Sequence, residues 1–273
     1  ADGARGGGVG ASFSYSSAVV SADAAGIDGG GGHDRIVNSG PVTATATTDA
    51  DVSSVSVQVG AALSAGASFG DASVVSTTAA RGIGGGDGND RILNEGTLLA
   101  GAMSRVDADS VTVNVGAGWA EAKAAIASLT TASGIEGGKG DDTIVNRGEI
   151  RVGPAPGLDP WMSRITASSF TFGLSGVANA QSSMLATTRS TGIDGGDGND
   201  KICNEGLLNV RANSISTVSA DSVIVFGTSS GAVLAGAVAE AQGITGGAGD
   251  DAVANAAAIT ANSAATVNLD NSA

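Results

Sequence analysis

Cysteine is almost missing from this chain: its 273 residues hold one, Cys203. A single thiol forms no internal bridge, so no disulfide framework holds the fold. Proline is scarce, at 4, and the 44 glycines follow no three-residue period, which excludes collagen. Aromatic residues make up 3%, too few for a thick conventional core. Basic side chains are outnumbered, 13 against 27 acidic, for a net charge of -14. An acidic chain repels nucleic acid and anionic lipid, so neither is an expected partner. No apolar run reaches the ~18 residues of a membrane span, so no membrane insertion is expected. Residue 1 is not Met, and no basic-then-apolar signal segment opens the chain. The expectation is a mature or excised piece.

What is present is small. Glycine and the 49 alanines together make about a third of the residues. The hydrophobic fraction of 42% and the charged fraction of 15% argue against disorder. The apolar part is mostly Ala and Val, which suits a thin core between closely approaching backbones.

The chain repeats itself about every 54 residues. Five segments align: GIDGGGGHDRIVNSG from Gly26, GIGGGDGNDRILNEG from Gly82, GIEGGKGDDTIVNRG from Gly134, GIDGGDGNDKICNEG from Gly192 and GITGGAGDDAVANAA from Gly243. Their starts lie 56, 52, 58 and 51 residues apart. A fixed period of this size is the signature of a repeat architecture. The expectation is one array over 1–273, with blocks 26–81, 82–133, 134–191 and 192–242 and partial blocks 1–25 and 243–273.

Between these segments, Val55-Val57-Val59, Val111-Val113-Val115 and Phe170-Phe172-Leu174 alternate with small or polar residues. Thr43, Thr45 and Thr47 alternate with Val42, Ala44 and Ala46. Period two reads as strand. Trp119 to Leu129 has a helical composition, but its counterparts are rich in Ser, Thr and Gly, so it too reads as extended. Gly153-Pro154-Ala155-Pro156 and Pro160 read as a surface loop inserted into one coil.

The motif GGxGxDx(apolar)x resembles the calcium-binding nonapeptide of the RTX (repeats-in-toxin) family. GGDGNDRIL and GGDGNDKIC match it at every defined position. The likeness covers about nine residues in each block. Family members repeat the nonapeptide in tandem, whereas this chain has one per block. The resemblance implies an all-β parallel solenoid that binds Ca²⁺ and is secreted or held at a bacterial cell surface. It assigns Asp34, Asp90, Asp142, Asp200 and Asp251 as carboxylate ligands. Beside them stand carbonyls of Gly30, Gly32, Gly86, Gly88, Gly138, Gly140, Gly196, Gly198, Gly247 and Gly249.

The chemistry agrees with a calcium loop. Glycine pairs reach backbone conformations closed to other residues, so carbonyl oxygens can turn toward one point. Ca²⁺ takes about six to eight oxygens in irregular geometry, and two stacked loops supply that number where one does not. The five windows 28–34, 84–90, 136–142, 194–200 and 245–251 hold 12 of the 27 acidic residues. Stacked without cations, those carboxylates repel. The plainer reading is five solvated Asx-Gly turns, and five aspartates in register speak against it.

Ile36, Ile92, Ile144, Ile202 and Val253 share parity with Asn38, Asn94, Asn146, Asn204 and Asn255. The apolar set should face the core. The asparagines should then form a ladder, each amide bonding the next coil. Asn as a metal ligand is the alternative, disfavoured because it sits beyond the loop.

Two solenoid geometries remain open. In one, each block is a single wide coil, with adjacent loops about 4.8 Å apart and able to share a cation. In the other, each block winds two or three times, and its loops lie roughly 10–14 Å apart. The wide coil is favoured by the single motif per block and by the small residues. The two partial blocks sum to one block, so the chain is expected to stack head to tail on other copies, or to belong to a longer array.

No catalytic site is expected. His33 is the only histidine and occupies a variable loop position. Gly66-Ala67-Ser68-Phe69-Gly70 matches GxSxG without its strand-to-helix context. Cys203 replaces Val37, Leu93 and Val145 and reads as a small apolar substitute. Arg35 and Arg91 read as members of surface ion pairs. The expected function is structural: an extracellular filament, stalk or adhesin segment stabilised by calcium. The alternative is the repeat region of a larger secreted adhesin or carbohydrate-binding or carbohydrate-processing protein. Its mark would be an exposed aromatic or polar stripe, for which Trp161 and Tyr15 are the only candidates.

Overall fold

The computed structural model describes residues 10–59, 65–153 and 163–272. Trp161 and the segment from Pro154 through Pro160 lie outside them. Thirteen strands follow one another, with no helix among the described residues. They are β1 (Gly10–Asp28), β2 (Arg35–Asn38), β3 (Val42–Val59), β4 (Ala65–Asp87), β5 (Arg91–Asn94), β6 (Leu98–Lys139), β7 (Thr143–Asn146), β8 (Ile150–Val152), β9 (Ser163–Asp197), β10 (Lys201–Asn204), β11 (Leu208–Ala248), β12 (Ala252–Asn255) and β13 (Ile259–Ser272).

Every pairing is parallel, and the architecture is a β-solenoid. The register decides between the two coil geometries. Ile27 pairs with Ile83, Ile83 with Ile135, Ile135 with Ile193 and Ile193 with Ile244. Each strand therefore lies beside the strand one full repeat away, and each repeat is one wide coil. A coil runs inward along one long wall, through the glycine loop, along a short strand of four residues, and outward along the second wall. The short strands stack as a separate sheet in the order β12-β10-β7-β5-β2.

At the end opposite the loop the chain folds back inside what is formally one strand. In β6 the turn falls between Asn114 and Gly118, where Asn114 Nδ2 donates to Trp119 O at 3.0 Å. Gly66, Gly118, Gly176 and Gly227 stack in register at this tip. Gly176 has φ +113°, and a Cβ there would collide with the carbonyl of Gly118. Only glycine allows the coils to stack this closely at a left-handed turn. Five coils result, with the chain passing from one to the next at the tip. The loop-to-loop blocks of the sequence are the same repeat in another phase.

The interior is banded. Next to the loops, Ile83, Ile92, Leu98, Ile135, Ile144 and Ile193 are fully buried. Side chains of this size each contribute roughly 1.5–3 kcal/mol on burial. A band of hydroxyls follows. Thr48 Oγ1 reaches Ser76 Oγ at 2.9 Å and Thr78 Oγ1 at 2.6 Å across the walls, and bonds Ser104 Oγ at 3.1 Å in the next coil. A second apolar band of Ala, Val and Ile comes next, including Ala72, Val74, Val106 and Ala124. Toward the tip the interior turns polar again, with Ser56 Oγ meeting Ser68 Oγ at 3.0 Å. Small residues let the two walls approach until hydroxyls bridge them, although the hydroxyls of Ser110, Ser133, Thr188 and Ser214 are buried without a partner.

Along the second wall, Ala44 and Ala46 point inward while Thr43, Thr45 and Thr47 point outward. Further on the usual polarity reverses. Ser54 and Ser56 are buried, whereas Val55 and Val57 are exposed. The segment 119–129 is strand within β6, not helix. In the third coil β8 ends with Val152 beside Val210, and β9 resumes with Ser163 beside Ser214. The extra residues of the Pro-rich stretch are thus inserted inside one coil without disturbing the register on either side.

Candidate metal site

The five glycine loops stack directly on one another. Gly32 N donates to Asp87 O at 2.7 Å, Gly88 N to Lys139 O at 2.7 Å, Gly140 N to Asp197 O at 2.7 Å and Gly198 N to Ala248 O at 2.8 Å. All ten glycines assigned by the motif have positive φ, from +88° at Gly30 to +144° at Gly198. The two left-handed residues in each loop turn the chain from the long wall into the short strand.

Asp34, Asp90, Asp142, Asp200 and Asp251 form one column. In each step the backbone N–H of one aspartate donates to Oδ1 of the next: Asp34 to Asp90 at 2.7 Å, Asp90 to Asp142 at 2.8 Å, Asp142 to Asp200 at 2.7 Å and Asp200 to Asp251 at 2.9 Å. The other oxygen is different. Oδ2 of Asp34, Asp90, Asp142 and Asp200 is buried and has no hydrogen-bond partner. A column of orphaned carboxylate oxygens is costly, since a buried anion needs a partner. The cost shows in the acidity. Burial, followed by the charges of Asp200, Asp90 and Asp141, pushes the Asp142 carboxyl up to about 6. Burial, with Asp251 and Asp141 nearby, raises that of Asp200 as well.

The first glycine of each pair makes room for this oxygen. A Cβ on Gly85 or Gly137 would stand 2.5 Å from Oδ2 of Asp90 or Asp142. This role is legible in the GG dipeptide, but Gly29, Gly85, Gly137, Gly195 and Gly246 were not among the residues singled out from the motif.

The donor set fits a hard cation in type: carboxylate oxygens and backbone carbonyls, with no nitrogen or sulfur in the column. No group of three or more His, Cys, Asp or Glu side chains converges on one point among the described residues. Any ion here would therefore draw mainly on carbonyls, with one or two carboxylates.

Two further ladders flank the aspartates. Asn38 Nδ2 donates to Asn94 Oδ1, Asn94 to Asn146, Asn146 to Asn204 and Asn204 to Asn255, each at 2.7 Å. Asn94 Nδ2 also donates to Gly96 O at 3.1 Å, which ties the ladder to the turn that follows. Ile36, Ile92, Ile144 and Ile202 face the core beside it, while Val253 in the last coil is 50% exposed. The third ladder runs outside the loop through a position the sequence leaves variable. Asn89 N donates to His33 Nδ1 at 2.8 Å, Asp141 N to Asn89 Oδ1 at 3.0 Å, Asn199 N to Asp141 Oδ1 at 2.8 Å and Asp250 N to Asn199 Oδ1 at 3.0 Å. His33 is a rung of this ladder. Its residues differ in type yet all offer an acceptor, which is why pattern matching passes over them.

Cys203 faces outward in a column with Val37, Leu93, Val145 and Ala254. Arg35 and Arg91 stand side by side on the same face. The expectation of ion pairs fails for these two: neither forms one among the described residues. Strand alternation is the reason, since it turns each loop aspartate inward and the following arginine outward. Comparison with protein-family models, with curated proteins and with solved structures returns no match for this chain.

Proposed function

We propose that this protein is a calcium-stabilised structural solenoid of the extracellular space, serving as a filament, stalk or adhesin segment. The observation that carries the reading is the column of buried Oδ2 oxygens without partners, one per loop in four consecutive loops. Calcium bound between loops would supply the positive charge that these carboxylates lack. The chain's own part is positional. The Oδ1 ladder holds each aspartate in one rotamer, and the left-handed glycines turn the chain around the carboxylates. The Asn ladder pins the strand leaving the loop. Oxygen-only sites of this type suit the millimolar calcium outside cells, and the RTX-like motif points to a secreted or surface-held bacterial protein.

The edges of the first and last described coils are of matching polarity. Asp251 N is a donor of the kind that Asp34 Oδ1 would accept. Asn255 Nδ2, which donates to Ala257 O at 2.8 Å, keeps a second hydrogen for Asn38 Oδ1, which also accepts from Gly40 N at 3.2 Å. Head-to-tail stacking on another copy, or on further coils of a longer array, would continue all the ladders.

Calorimetric titration of chelator-treated protein tests the metal. About four ions per chain are expected, one for each space between five loops. A stoichiometry below one would exclude the shared-loop reading.

A further inference from the structure

The tip third of the second wall is inside out. Its interior carries Ser54, Ser56, Ser110, Thr112, Ser169 and Thr171, all buried. Its exterior carries valine and phenylalanine. Val55 stacks on Val111 and Phe170, and Val57 on Val113, Phe172 and Val223. Val55 is 59% exposed, Val57 53% and Val223 45%. The stripe crosses four coils, and Asp221 is its one charged member. The first wall shows no such pattern at this level. There Phe13 and Phe69 are followed in register by Glu121 and Asn179, and Tyr15 by Asp71, Lys123 and Gln181.

We propose that this stripe is where two copies of the chain pack face to face, second wall against second wall. Three observations select a copy as the occupant. Chains of net charge -14 repel one another least across a surface of little charge, and the stripe carries a single carboxylate, Asp221. Its rows repeat at the strand spacing, so a second stripe has the same period, and side chains can interdigitate with the sheets about 10 Å apart. With the next outward row, Val59, Val115, Leu174 and Val225, exposed by 75%, 36%, 38% and 51%, its exposed area is roughly 800 Å², the share each partner brings to a standard interface. Solitary apolar patches of that size are uncommon on monomers. The contact is isologous and closes as a two-fold pair, unlike stacking along the axis. It needs only the folded coil, so it stands or falls independently of the calcium reading.

The test is sedimentation equilibrium of the full chain in calcium at about 1–100 µM. The expected result is concentration-dependent association from the 26.0 kDa monomer, weakened at least tenfold in a Val57→Lys/Val113→Lys variant. Both positions face outward, so the β-signal should be retained. Should the lysine pair disturb folding, cysteine crosslinking decides. In a Cys203→Ser background, Val113→Cys should give disulfide dimers under mild oxidation, and Thr77→Cys on the first wall should not. If axial stacking also occurs, the lysine pair should leave single-width filaments where the parent forms paired ones. Wild type that stays monomeric at 100 µM overturns the proposal. So does association unaffected by the lysines, or equal crosslinking at residues 77 and 113. Cosedimentation with phosphatidylcholine vesicles, abolished by the lysines and without dimerisation, would make the stripe a lipid-facing surface and equally overturn it.

Discussion

At the scale of single residues, the stacked rungs show how position changes the worth of the same side chain. Asn146 lies mid-ladder, donating to Asn204 and accepting from Asn94. Replacing it with Ala leaves a buried donor and a buried acceptor unpaired, each worth about 1–3 kcal/mol. Asn146→Ala should therefore lower stability in chemical denaturation by roughly 2–4 kcal/mol. Asn255→Ala, at an exposed rung, should cost about 1 kcal/mol or less; equal losses would show that the ladder is not cooperative. Gly176 offers a second test. Its left-handed turn and the facing Gly118 carbonyl make Gly176→Ala destabilising by about 1–3 kcal/mol or more, read as a lower Tm. The asparagine rung was readable from parity alone, because Ile144 and Asn146 share a face and a buried amide needs a partner. The outer ladder was not, because His33, Asn89 and Asp141 have no residue type in common and only the backbone donor above each reveals the role.

At the scale of the loop, charge governs. The carboxyl of Asp142 is pushed up to about 6 from 3.8, mainly by burial. A carboxyl raised by folding binds its proton more tightly in the folded chain. Its favourable contribution is therefore complete below the unfolded value of 3.8 and is lost as pH rises through about 6. Ion-free protein should accordingly melt at a lower temperature at pH 7 than at pH 4.5. In saturating calcium the order should invert, because protons compete for the same oxygens. A Tm with the same pH trend in both conditions would remove the buried carboxylates from the account. Asp142→Asn sharpens this further. It keeps an Oδ1 acceptor for Asp90 N but removes the buried charge. The variant should be more stable than wild type in chelator and gain less from calcium, a crossing visible in paired melting curves. The loop itself was legible because it repeats in register. What the motif did not convey was the division of labour between Oδ1, spent on the preceding coil's backbone, and Oδ2, left without a partner.

At the scale of the whole molecule, alternation predicted long strands, and the single motif per block favoured the wide coil that the register shows. Which face the second wall buries near the tip was not readable by hydrophobicity. Near the tip Ser54 and Ser56 go in while Val55 and Val57 go out, since between two close-set walls the hydroxyls of Ser and Thr find polar partners across the gap, as Ser56 does at Ser68 and Thr112 at Glu121 O. The tip glycines at 66, 118, 176 and 227 share the repeat spacing but lack a motif around them, so the fold-back stayed hidden. The central claim is that the stacked loops need a cation to stay together, and far-ultraviolet circular dichroism with and without chelator tests it most directly. The account predicts that excess chelator at pH 7 abolishes or strongly reduces the β-signal and that added calcium restores it. A spectrum and melting curve unchanged by chelator would contradict it.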